Sequence, residues 1–181
     1  MGTDRLTRFN ELPAPAVRRA LLECCSAPRW AEQMAAARPY GRAQDAIRRS
    51  NAIIGDLVDA ELAEALAGHP RIGERADSDV AADGNTDAAP ASLADWSRRE
   101  QAAVDADDAQ TRRALADANA EYEQRFGHIY LVCASGRTGT ELLALLRGRL
   151  HNEPEEEWQV VRTELQKINA LRLERLLADS P

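Results

Sequence analysis

Apolar residues recur along this chain at helical rather than alternating spacing, and caps and breakers cut the pattern into about seven or eight helices. The first is predicted to start after Pro13 or Pro15, prolines being tolerated in an opening turn, and carries Val17, Leu21 and Leu22. Ser26 is the expected cap of a second, which holds Trp30 and Met34 and stops near Arg38-Pro39. A third covers roughly Arg42 to Ile54, with Ile47 and Ile54 on one face. Asp59 is expected to cap a fourth, with Leu62 and Leu66 one turn apart and Gly68 as its stop.

Residues 74–91 lack periodicity and are rich in Asp, Ala and Gly, which predicts a long surface loop. Ser92 and Asp95 then form a capping box for a helix carrying Leu93, Trp96 and Val104. Another helix runs from about Ala109 to Phe126, with Leu115, Ala118, Tyr122 and Phe126 on one stripe and Gly127 ending it. Residues 129–133 (IYLVC) are strand-like, but one short extended segment makes no sheet, so a buried connector is expected. Thr140 is predicted to cap a Leu-rich helix ending near Leu150, and Asn152 to cap the last one. That last helix buries Trp158, Val161, Leu165 and Ile168, while Glu155, Glu156 and Glu157 read as solvated acids at its N-terminus. With no repeat and no composition break, the expectation is a single all-α domain over residues 1–181 with one short extended connector.

Composition narrows the class of function. The 181 residues are 44% hydrophobic but only 4% aromatic, and the apolar share is mostly Ala and Leu, which favours helices over a sandwich or barrel. A net charge of −7 argues against a nucleic-acid binder, since phosphate contacts need a basic face. No apolar run approaches the roughly 20 residues of a membrane helix, and the start of the chain lacks a signal-peptide apolar core. Leu6 stands where N-myristoylation requires Ser or Thr, and the chain ends Asp179-Ser-Pro181 rather than Ser-Lys-Leu. Three cysteines, with Cys24 and Cys25 adjacent, are no disulfide framework, so a cytoplasmic location is expected.

Several chemistries can be set aside. His69, His128 and His151 are scattered, with neither a C-x-x-C nor an H-E-x-x-H pattern, so no metal site is expected. The Gly-rich Ser135–Thr140 segment lacks the Walker spacing and lysine, and Ser135 is outside any G-x-S-x-G elbow.

Three pieces remain. His69-Pro70 follows the predicted stop at Gly68, where proline rigidifies the turn carrying an imidazole that titrates near neutrality. Ser97, Glu100 and Gln101 are three and four apart, so one helical face presents a hydroxyl, a carboxylate and an amide. Extending the last buried stripe from Val161, Leu165 and Ile168 points Arg172 inward, where it needs a carboxylate, a carbonyl or an anionic ligand. Each piece also has a structural reading: a packing histidine, a solvated polar face, and an internal ion pair such as Arg172 with Glu100.

Together with their surroundings these residues carry a resemblance. Phe9-Asn-Glu-Leu-Pro13, Cys24-Cys25, Arg29-Trp30-Ala31, Arg38-Pro39-Tyr40 and His69-Pro70 occur in that order. They are followed by Ser97-x-x-Glu100-Gln101, Tyr122-x-x-x-Phe126-Gly127, Leu131-Val-Cys-Ala-Ser-Gly-Arg137, Arg149-Leu-x-Asn152-Glu153 and Lys167-Ile-x-x-Leu-Arg-Leu173. The chain resembles the 2-oxo-4-hydroxy-4-carboxy-5-ureidoimidazoline (OHCU) decarboxylases over nearly its whole length. It departs from their pattern in the long acidic stretch between His69 and Ser97, and in His128 and Tyr130, where many relatives carry apolar aromatics.

The resemblance implies an all-helical, homodimeric, cofactor-free enzyme that converts OHCU to (S)-allantoin at the end of urate oxidation. It implies His69 as the catalytic acid, with Glu100 and Arg172 acting beside it. Pro70, Ser97, Gln101 and the backbone of Tyr130, Leu131, Val132, Cys133 and Ala134 would hold the substrate. Two other readings stay open: a non-catalytic helical module binding a ureide or a partner protein, and a cofactor-free lyase or hydrolase acting on a related ureido ring.

Overall fold

The computed structural model describes residues 4–72 and 109–177, and among them every regular element is an α-helix. These are α1 (Arg5–Glu11), α2 (Ala14–Leu22), α3 (Pro28–Ala36), α4 (Ala43–Asp56), α5 (Asp59–Ala67), α6 (Ala109–Phe126), α7 (Gly139–Arg149) and α8 (Pro154–Leu177). The all-α expectation holds. The loop expected at 74–91 and the helix expected to open at Ser92 lie outside the described residues. Two compact units emerge: one from the chain up to Gly68 together with the chain from Pro154 onward, the other from His69 to Glu153.

In the first unit α8 packs along α4, α3 packs on α2 and α4, and α1 touches α8. The α4 stripe is Ala46, Ile47, Ser50, Ile53 and Ile54, a spacing that lays one face of a 3.6-residue helix against its neighbours. Facing residues on α8 include Val161, Leu165, Ile168 and Leu173, all buried. Two aromatic polar groups drawn into this core are paired: the Trp30 indole donates to Ser50 Oγ over 3.0 Å, and the Tyr40 hydroxyl to the Met34 carbonyl over 2.7 Å. Burial pushes the Tyr40 phenol up to about 12.

Helix ends leave carbonyls without intrahelical partners, and two arginines collect them. Arg38 Nη1 donates to the carbonyls of Phe9, Asn10 and Leu12 at the end of α1. Arg162, on α8, reaches the carbonyls of Ile54 and Leu57 at the end of α4, at 3.0 and 2.5 Å, and Asp59 Oδ1 at 3.2 Å.

The second unit is built on α6 against α7. Leu115, Ala118 and Tyr122 of α6 meet Leu142, Leu143 and Leu146 of α7 in one core. Gly127 ends α6 at φ +75°, a left-handed conformation that favours glycine. Residues 128–137 contain no strand, so the strand-like run is the buried connector expected of it.

Several boundaries differ from expectation, each for a local reason. A helix precedes Pro13: α1 buries only Phe9, so it carries almost no apolar stripe, and Asp4 caps it by accepting from the Thr7 N–H over 2.7 Å. Ser26 does not cap α3; Ala27 stands at the cap and Pro28 supplies the first turn. Asp59 is the first residue of α5 rather than its cap, and Glu61 reaches back to the Val58 N–H at 3.0 Å. α7 is capped by Thr138, not Thr140, in a reciprocal box with Glu141. α8 begins at Pro154, two residues beyond Asn152. Trp158 is only half-buried, whereas Glu157, expected in solvent, is fully buried.

Candidate active site

His69 heads a short strap, residues 69–72, that opens the second unit, and its side chain is buried. The strap is fastened to α6 at two points. Arg71 grips Glu123 with two parallel bonds, Nε to Oε1 at 2.5 Å and Nη2 to Oε2 at 3.0 Å. That planar fork matches a carboxylate's geometry, and it holds the Glu123 carboxyl below the usual carboxylate range. One turn earlier on α6, Asn119 Nδ2 donates to the Ile72 carbonyl over 3.0 Å. The Ile72 side chain sits in the α6–α7 core. Pro70, exposed between His69 and these anchors, fixes the backbone dihedral there.

The connector 130–134 lies in the same core: Tyr130, Val132 and Ala134 pack with Ile72, and Leu131 is buried too. Cys133 is half-buried. Among the described residues no strand pairs the connector's backbone; the Ala134 carbonyl accepts from the Arg137 N–H over 3.0 Å, and the Leu131 carbonyl turns to a side chain. Arg149, at the end of α7, donates from Nη1 to the Leu131 carbonyl over 2.7 Å and from Nη2 to the Tyr122 hydroxyl over 3.3 Å. Its guanidinium also lies 4.7 Å from the Tyr130 ring centroid, within cation–π range. The Tyr130 hydroxyl donates to the Leu142 carbonyl over 3.3 Å. Tyr122 touches Phe126, His128 and Tyr130 edge-on or tilted, so His128 belongs to an aromatic cluster.

Arg172 belongs to the first unit and is fully buried, as the stripe on the last helix predicts. Its Nη1 donates to the Cys24 carbonyl over 2.9 Å. Cys25 is next to it, and burial pushes that thiol up, opposed by the nearby Asn169 amide and the Arg172 charge. Asn169, one turn before Arg172 on α8, is itself fully buried, and neither Oδ1 nor Nδ2 has a hydrogen-bond partner. Each buried pole left unmet costs about 1–3 kcal/mol.

The expected site residues therefore fall into three groups. His69 and Pro70 fall in one unit with Tyr130, Leu131, Val132, Cys133 and Ala134, of which Tyr130, Val132 and Ala134 share a core with Ile72. Arg172 stands in the other unit, in a polar cluster with Cys24, Cys25 and Asn169. Ser97, Glu100 and Gln101 lie outside the described residues. Sequence reasoning passed over Arg149, Asn119 and Asn169. The first was visible as a buried position in Arg149-Leu-x-Asn152, and the last as a neighbour of Ile168 on the stripe that pointed to Arg172. Among the described residues no group of His, Cys, Asp or Glu is arranged to hold a metal ion. An open groove of about 660 Å³ runs beside α7, lined by Arg137, Glu141, Ala144, Leu145, Gly148 and Arg149, and contains none of the expected site residues.

Known proteins resemble this chain in sequence and in fold. The family model described as OHCU decarboxylase matches residues 10–174. The "Uric acid degradation bifunctional protein TTL" of Arabidopsis thaliana is 32% identical over 157 residues, which cover 86% of this chain and 46% of that protein. The chain thus spans about half the length of that relative. The "2-oxo-4-hydroxy-4-carboxy-5-ureidoimidazoline decarboxylase" of Amia calva is 39% identical over 74 residues, 41% of either protein. A solved OHCU decarboxylase, crystallised in the presence of (S)-allantoin, superposes with a TM-score of 0.71 at 28% identity, covering 88% of this chain and 99% of the other. An (S)-allantoin synthase shares the fold at 16% identity and a TM-score of 0.66, covering 95% of this chain and 54% of the other. With a family model that runs from residue 10 to residue 174, the chain belongs to the OHCU decarboxylase family.

Proposed function

We propose that this chain decarboxylates OHCU to (S)-allantoin, without a cofactor, as the last step of urate oxidation. The observation that carries the reading is the solved OHCU decarboxylase crystallised with (S)-allantoin, which this chain matches over 99% of that protein's length.

The chemistry needs no external electron sink. In OHCU the carbon bearing the hydroxyl and carboxylate adjoins the ureido-bearing imine carbon. As the carbon–carboxylate bond breaks, CO₂ leaves and the electron pair becomes a ring carbon–carbon double bond. The imine nitrogen takes up a proton as its π bond is spent. The hydroxyl then gives up its proton to become the ring carbonyl, and the ureido-bearing carbon accepts one on a single face, which sets the S product. The protein's task is to hold the carboxylate out of the ring plane, strip its water and deliver protons.

In this reading His69 is the acid that protonates, or hydrogen-bonds, the developing charge. Glu100 orients the substrate hydroxyl, and Arg172 and Gln101 fix the carbonyl and ureido oxygens. Pro70, Ser97 and the backbone from Tyr130 to Ala134 close on the ring. The anchoring of the strap by Asn119 and Arg71 supports a positioning role for His69, because an acid must be held within hydrogen-bond reach of its target. The enzyme acts as a homodimer in the cytoplasm. No described helix is long and apolar enough to cross a membrane.

Circular dichroism on OHCU generated fresh from urate tests the proposal. Added chain should speed the decay and yield optically active allantoin, and light scattering on the same sample should give twice the chain mass. A racemic product at the uncatalysed rate overturns the decarboxylase reading in favour of a non-catalytic binding module.

A further inference from the structure

We infer that Asn169 is a specificity-determining group, pairing its side-chain amide with the adjacent N–H and C=O of a ureido or hydantoin edge beside Arg172. The inference rests on the decarboxylase reading and adds a substrate contact to it.

The geometry lies wholly within the first unit. α8 sets Asn169 and Arg172 three residues apart, hence on neighbouring positions of one helix face, and both are 0% exposed. A buried amide ordinarily finds a partner for each pole. Asn169 finds one for neither, whereas Asn119, unmet at Oδ1, still donates from Nδ2 to the Ile72 carbonyl. The nearby Cys25 thiol is a weak donor and acceptor, and its contact with the amide falls short of hydrogen-bond geometry.

The two free poles define the ligand's chemistry. Nδ2 offers a proton and Oδ1, beside it, accepts one, so the complementary edge carries C=O next to N–H. A carboxylate presents two acceptors and would leave Oδ1 facing an oxygen; a guanidinium presents only donors and would leave Nδ2 unmet. A cis-amide or urea edge satisfies both poles at once. Arg172, one turn on, supplies the charged donors that suit a carboxylate or a ring carbonyl of the same molecule. A polar pair left unmet in the free protein also discriminates well, because an analogue lacking the matching group leaves those poles unpaired in the complex.

The full-length chain tests this with Asn169→Leu, which keeps the shape and removes both poles, and Asn169→Asp, which replaces the donor with an acceptor. KM and kcat for fresh OHCU, calorimetric affinity for (S)-allantoin, and the ligand-free thermal midpoint are measured for each. Asn169→Leu should raise KM and weaken (S)-allantoin binding by about tenfold or more, with a smaller change in kcat. Its thermal midpoint should stay level or rise, because the unmet poles are gone. Asn169→Asp should bind more weakly still.

A drop in thermal midpoint with KM and allantoin affinity held within about twofold overturns the inference and makes the amide a structural partner of buried water. If the wild-type chain turns over no OHCU, the decarboxylase reading falls, and binding alone decides the role of Asn169. Allantoin binding that Asn169→Leu abolishes then supports it. Equal binding by both proteins, or none by the wild type, overturns it.

Discussion

Arg149 holds Leu131: its guanidinium donates to the Leu131 carbonyl over 2.7 Å, from a position 4.7 Å off the Tyr130 ring centroid. A peptide carbonyl in a buried connector has no ladder partner, and this charged bond is what replaces one. Arg149→Met should therefore orphan the buried Leu131 carbonyl and take one donor from the Tyr122 hydroxyl, costing about 1–3 kcal/mol in thermal or urea unfolding. Arg149→Lys should recover only part of that, because a point charge cannot span both acceptors as the planar fork does. If the connector backbone closes on substrate, both variants also raise KM more than they lower kcat in the dichroism assay. Unfolding curves that match the wild type would show that the carbonyl is satisfied by another group.

His69→Asn keeps a polar group of similar reach and removes the titrating nitrogen. Turnover should fall by roughly 10²–10⁴, the usual scale for a positioned acid or base, while the thermal midpoint moves little. Near-wild-type turnover would remove His69 from its proposed role.

The Arg71–Glu123 pair fixes a direction for pH dependence. Arg71 holds the Glu123 carboxyl below its ordinary 4.5. Its contribution is therefore full above about 4.5, the ordinary value expected in the unfolded chain, and fades as pH falls through the lower folded value. Arg71→Met should cost no more than about 1 kcal/mol at pH 7, since the arginine is 46% exposed. That cost should shrink towards zero as pH falls through the folded Glu123 midpoint. A carboxyl titration by NMR should show the Glu123 midpoint rising in the variant; an unmoved midpoint would mean that another group sets it.

The cysteines should react in a set order. Cys25 is fully buried and its thiol is pushed up, so little thiolate forms near neutrality. Cys24 is buried too, with its Sγ donating to the Ala20 carbonyl over 3.5 Å. Cys133 is half-buried. Iodoacetamide at pH 8 should therefore label Cys133 first in the native chain and reach Cys24 and Cys25 only on unfolding. Peptide mass spectrometry reads the order directly, and early labelling of Cys25 would contradict the buried placement.

How much of this was legible depended on which physical signal each residue carried. α6 was readable from end to end because its apolar stripe is periodic and Gly127 closes it with a positive φ. Arg172 was readable because the spacing of Val161, Leu165 and Ile168 forces the next position inward whatever its charge. The same logic applied to Glu157, four residues before Val161, yet three acids in a row read as solvent-facing when a helix must turn some of them inward. The cap at Thr138 was visible in the glutamate three residues on; choosing Thr140 weighed the residue type without its partner. α1 left little trace, since a seven-residue helix with one buried side chain has no period to detect. The unmet amide of Asn169 and the carbonyl bond of Arg149 could not be read at all, because both depend on what a folded neighbour does or does not supply.

Arg162 closes the end of α4 from 108 residues away, counting to the Ile54 carbonyl. On the ribosome that distance becomes a waiting time. The apolar stripe of α4 leaves the exit tunnel long before α8 is made, and the second unit, inserted between them, is complete first. At roughly 5–20 residues per second, the unpartnered α4 face stays open for several seconds. During synthesis, then, this chain should lean on holdase chaperones through its N-terminal helices, and ribosomes stalled just before α8 should carry a folded second unit and a protease-sensitive first one.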